Sequence, residues 1–64
     1  MSIKIKLLEI GKTQVDLREE LISRYREIVS LPQLSNIING RLDGPKAERV
    51  RIEIETIMKE WTTP

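Results

Sequence analysis

The chain has 64 residues, eleven Lys or Arg against ten Asp or Glu, a formal net charge of +1, and no Cys, His or Phe. This composition fits one small domain, 1–64, near the lower size at which a chain folds without disulfides or metal. Lacking Cys and His, it has no disulfide framework, no thiolate or imidazole metal ligand and no neutral-pH imidazole base, so binding is expected rather than catalysis, with no cofactor or small-molecule substrate.

The first segment runs Ile3 to Ile10. Ile3-Lys4-Ile5-Lys6 alternates as a strand would, but Ile3, Leu7 and Ile10 recur at i, i+4, i+7 and the alternation fails at Leu7-Leu8, which favours a helix. Gly11 then stands where a C-capping glycine belongs. Nothing approaches the roughly 20 apolar residues of a membrane span. The opening Met1-Ser2-Ile3-Lys4-Ile5-Lys6 lacks the long apolar stretch and small-residue cleavage site of a signal peptide. A soluble, cytoplasmic protein is expected.

Thr13 is the expected cap of a second helix beginning at Gln14, with Asp16 placed to face the helix N-terminal partial charge. Leu17, Leu21 and Tyr25 are its expected buried face, and Arg18, Glu19, Glu20, Ser23 and Arg24 its wet face. The helix is expected to stop near Tyr25 or Arg26. Ser30 and Pro32 open a third helix, about Leu31 to Asn39, with Leu34, Ile37 and Ile38 turned inward and Asn39-Gly40 closing it. At two and a half turns it must be packed by its neighbours to persist. After the loop Arg41-Leu42-Asp43-Gly44, Pro45 starts a fourth helix, about 45–61. Ala47, Val50, Ile54, Ile57 and Trp61 make its stripe, with Ile52 and Met58 to the sides. Glu48, Glu53, Glu55 and Glu60 read as a solvated face rather than a catalytic carboxylate pair, with nothing nearby to tune one of them. Residues 62–64 read as a frayed end.

Two consecutive helices with a short connection, the second capped by Ser and closed by Asn-Gly, make a helix-turn-helix outline over about 14–39. A short helix of this kind fits the major groove of DNA when its rear is apolar, its front polar and its flanks carry phosphate donors. Gln33, Ser35 and Asn36 are polar residues for the front, and Gln14, Arg41 and Lys46 are donors for the flanks. Residues 1–41 carry net +2 and residues 42–64 net −1, so a locally positive reading surface is compatible with the small total.

The run Gly11-Lys12-Thr13-Gln14, Leu17, Ser30 through Arg41, and Pro45-Lys46 resembles the Cro / lambda-repressor type of helix-turn-helix, the family that also supplies standard examples of groove docking. The resemblance covers about residues 5–46. It implies an all-α domain of four to five helices, a small phage-type or mobile-element regulator, and binding to double-stranded DNA as a homodimer on a partly palindromic operator. By this resemblance Gln14 contacts a backbone phosphate, and Ser30 caps the recognition helix and touches phosphate. Leu31, Pro32, Gln33 and Asn36 face bases with Ser35 beside them, Arg41 contacts phosphate, and Lys46 lies next to the backbone or minor groove. The chain departs from the pattern at Arg18, where a small residue is usual, and at Arg26, where a glycine often ends the second helix. The stretch from Ile22 to Val29 is longer than in short members. Leu31 and Pro32 replace polar base readers and suit thymine methyl groups instead. The alternative is a helix-turn-helix scaffold that no longer reads DNA and binds a protein. The expected dimer contact is the C-terminal helix, through Ile57, Met58 and Trp61.

Overall fold

Capping chemistry sets most of the helix boundaries. A computed structural model describes residues 3–63 and contains four helices: α1 (Ile3–Glu9), α2 (Gln14–Tyr25), α3 (Leu31–Ile38) and α4 (Pro45–Thr62). The N-terminal reading at Met1 and Ser2 and the frayed end at Pro64 lie outside the described residues. No strand occurs among the described residues, and the chain is all-helical.

Thr13 and Asp16 form a reciprocal cap on α2: Thr13 Oγ1 accepts from the Asp16 N–H at 3.2 Å, and Asp16 Oδ2 accepts from the Thr13 N–H at 2.9 Å. Ser30 and Gln33 repeat the device on α3, at 3.2 and 3.1 Å. Each box satisfies two backbone donors that would otherwise have no partner at the helix start. Gly40 (φ +74°) closes α3, its N–H donating to the Ile37 carbonyl while the Arg41 N–H reaches the Asn36 carbonyl. This double closure needs a left-handed residue, which glycine supplies without a Cβ clash. Helix α2 ends differently. Arg26 itself takes the left-handed conformation (φ +53°), and the N–H groups of Arg26 and Glu27 bond the Ile22 and Leu21 carbonyls.

The core is assembled from every helix: Leu7 of α1, Leu17 and Leu21 of α2, Leu34 and Ile37 of α3, and Ala47, Val50, Ile54, Ile57 and Met58 of α4. Helix α4 is the central post, packing against both α2 and α3, which also pack on each other. Tyr25 does not join this core. It is the last residue of α2 and is exposed, and Val29, from the turn that follows, is buried instead. Ile57 and Met58 are also buried in the single chain, and Trp61 is half-buried with the Lys12 ammonium 5.2 Å from its ring centroid. The expectation that Ile57 and Met58 offer a dimer contact meets their burial within the one chain, while Trp61 keeps part of its surface exposed. Helix α4 runs eighteen residues, one past the expected end at 61, because Thr62 is still helical and bonds the Met58 carbonyl through its hydroxyl. Among the described residues no helix is long and apolar enough to cross a membrane.

Candidate nucleic-acid interface

Helix α3 divides cleanly by phase. Leu34 and Ile37 are buried and Ile38 is half-buried, whereas Pro32, Gln33, Asn36 and the capping Asn39 are exposed. Positions 32, 36 and 39 follow i, i+4, i+7 and share the outward face. Ser35 is half-buried at its edge, and its hydroxyl oxygen accepts from Asn39 Nδ2 at 3.4 Å. Leu31 is 42% exposed on the flank nearer Ile38. Asn36 makes no side-chain hydrogen bond, so both ends of its amide remain available.

The connections on either side of α3 are held by long cationic side chains. In the α2–α3 turn, Arg18 Nε donates to the Val29 carbonyl at 2.7 Å and Lys46 Nζ donates to the Ile28 carbonyl at 3.1 Å. Arg49 grips the Glu27 carboxylate with two bonds, 2.6 and 3.0 Å. After α3, Arg51 donates to the Leu42 carbonyl at 2.7 Å and to the Ile37 carbonyl at 3.4 Å, and lies 3.7 Å from Asp43. Arg24 ties α2 to α4 by pairing with both Glu20 and Glu60. Arg18 thus fastens the turn while α2 and α3 still pack on each other.

Four of the six arginines are engaged in this way. The other two, Arg26 and Arg41, make no side-chain hydrogen bond or ion pair among the described residues, and they flank α3 at its two ends. Between Arg26 and Leu42 the sequence has a single acid, Glu27, which is buried and neutralised by Arg49. The exposed surface of this segment therefore carries no free acid: it is cationic at Arg26 and Arg41, polar along α3, and apolar at Ile28, Leu31 and Pro32. Arg26 is a free donor that the sequence reading does not place among the site residues.

The expected site residues are thus partly gathered. Ser30 and Gln33 are joined by the capping box, Lys46 reaches the turn beside them, and Ser35 and Asn36 continue the same helix. Arg41 follows directly on α3 through its backbone bond to Asn36. Gln14 opens α2, at the end of that helix away from the turn, about 18 Å along its axis. It is half-buried, and no side-chain hydrogen bond links it to the others among the described residues. The Asp16 carboxylate lies in the same first turn, held below its ordinary pKa chiefly by the Thr13 N–H, with the Thr13 hydroxyl adding to this.

The acids of α4 are not uniformly solvated. Glu48, Glu55 and Glu60 are exposed, but Glu53 is half-buried and its Oε1 is buried with no hydrogen-bond partner. Loss of hydration, together with the hydrogen bond and charge of Glu27, raises the Glu53 carboxyl to about 7. Glu27 itself is held low by Arg49. The expectation that nothing tunes an α4 carboxyl is corrected: the tuning group comes from the turn, 26 residues earlier in sequence. As a neutral acid, Glu53 can donate a proton to the Glu27 carboxylate, whereas two bare carboxylates would only repel.

The consequence for stability has a definite sign. A carboxyl whose folded pKa lies above its unfolded value stabilises the fold below about pH 4.5, and that contribution is lost as pH rises through about 7. The melting temperature is expected to fall between pH 5 and pH 8. Glu53→Gln, whose amide supplies a permanent donor, is expected to flatten that fall in thermal unfolding followed by circular dichroism. Glu27 and Asp16, both lowered, act in the opposite direction at more acidic pH, below this window.

No protein-family model, no curated protein and no solved structure matches this chain.

Proposed function

We propose that this chain is a sequence-specific DNA-binding transcriptional regulator built on a Cro / lambda-repressor type helix-turn-helix. In this reading α2 and α3 are the two helices of the motif, and the outward face of α3 reads base edges in the major groove. The observation that carries it is the placement of the two unengaged arginines, Arg26 and Arg41, beyond the two ends of α3, whose own residues include no acid. Phosphate contacts hold a protein in register, and base contacts supply sequence choice. A helix of eight residues covers few base pairs. Binding as a homodimer to two half-sites about 34 Å apart supplies the rest. Occupancy of such an operator would exclude RNA polymerase from an overlapping promoter in the cytoplasm.

Selection of bound duplexes from a random pool tests this directly. The expected result is an inverted-repeat consensus whose binding weakens with salt. If each subunit neutralises about three phosphates, the slope of log affinity against log salt is on the order of −5. Failure to enrich any duplex sequence would overturn the reading. One observation favours a second reading, a scaffold that binds a protein partner: Ile28, in the turn beside α3, is 79% exposed. The same selection separates the two, because a protein-binding module enriches no operator.

A further inference from the structure

The end of α3 that would enter a groove is unusual in what it offers. Its two polar side chains are turned on each other: Ser30 Oγ accepts from the Gln33 N–H, and Gln33 Oε1 accepts from the Ser30 N–H. A glutamine reads adenine by offering an acceptor and a donor together. Gln33 already has one lone pair of its acceptor engaged in the cap, which fixes the orientation of its amide and restricts that pairing. The remaining surface there is apolar. Ile28 is 79% exposed, Leu31 is 42% exposed, and Pro32 is exposed, all within five residues.

The major groove presents one apolar feature, the 5-methyl group of thymine. Arg26 stands just before this apolar tip and Arg41 just past the other end of α3, and their charge suits a polyanion rather than a neutral protein surface. We propose that the tip of α3 discriminates base pairs by thymine methyl groups, packed against Leu31 and Pro32 with Ile28 alongside. Asn36, one turn further along the same face as Pro32, offers the donor and acceptor that adenine requires. The half-site is then an A·T-rich element in which thymine is read by contact and adenine by hydrogen bonding. This rests on the DNA-binding reading above, and its test is chosen to fail separately.

The experiment takes the duplex selected from the random pool and replaces each half-site thymine, one at a time, with uracil. That change removes the methyl group and leaves the Watson–Crick pair intact. At one or two positions per half-site the affinity is expected to fall about fourfold, the value of one buried methyl-sized group. In the Leu31→Ser and Pro32→Ser variants, checked for an unchanged melting temperature, the uracil penalty at those positions is expected to vanish. If the unmodified duplex binds tightly and no uracil substitution matters, methyl reading is overturned while DNA binding stands. If no unmodified duplex binds at all, the DNA-binding reading fails and takes this inference with it. The uracil measurement uses the unaltered protein, so it decides the question even where a variant folds poorly.

Discussion

Asn36→Ala is expected to cost about 1–3 kcal/mol of affinity for the selected operator, roughly 5- to 150-fold, and almost nothing for unrelated duplex DNA. Asn36 is exposed in the middle of the outward face of α3, with no internal bond on its amide. Its loss should therefore leave the fold intact and relax base choice at one position. Arg41→Ala should behave in the opposite way. A phosphate contact carries no sequence information, so the loss should be similar for all duplexes, and the salt slope should shrink by about one for each subunit contact removed. Arg26→Ala is expected to resemble Arg41→Ala. Fluorescence anisotropy with operator and scrambled duplexes at several salt concentrations distinguishes the patterns. An Asn36→Ala loss that is equal on both duplexes would move Asn36 from the bases to the backbone.

Leu34→Ala is expected to cost about 2–5 kcal/mol of stability, the range for deleting a fully buried leucine side chain. Leu34 is 0% exposed, on the inward side of α3. At about 0.05–0.15 kcal/mol per residue, a domain of this size has only about 3–10 kcal/mol in total. The single truncation should thus remove much of the margin and lower the melting temperature by about 10 °C or more. The contrast with Asn36→Ala, two residues away, is informative: one change should unfold the helix's support and leave its outward chemistry untouched, and the other should do the reverse. Equal melting temperatures for the two variants would mean that the inward and outward faces of α3 have been assigned wrongly.

Helix positions were legible because their signals are local. Thr13, Ser30 and Pro45 mark helix starts, Gly11 and Gly40 mark stops, and the i, i+3, i+4 spacing of Leu34, Ile37 and Ile38 identifies the inward side of α3. The end of α2 was harder to place because an arginine adopts the left-handed conformation that usually announces itself as glycine. Burial was harder still where it depends on chain path. Tyr25 has the right phase for the core, but α2 stops at that residue and Val29 is buried in its stead. Ile57 and Met58 are expected from sequence at a dimer seam, yet both are buried within the one chain, in the cluster that Leu7 of α1 joins. The Glu27–Arg49–Glu53 cluster had no local signal, since Glu27 and Arg49 are 22 residues apart in sequence and meet only when the turn folds against α4. Capping residues carry a related ambiguity. Ser30 and Gln33 look like readers from their position alone, and only their mutual bonds show that part of their chemistry is already committed.

The anchoring of both segments beside α3 to side chains rooted on α2 and α4 has a consequence for how such a protein can diversify. Because Arg18, Lys46, Arg49 and Arg51 hold backbone carbonyls or the one buried acid, they make few demands on which residues occupy positions 32, 36 and 39. Those outward positions form an interchangeable insert in a fixed frame. A library randomised there should yield folded members at high frequency, whereas one randomised at the four anchoring cations should yield chains whose α3 no longer holds a single orientation.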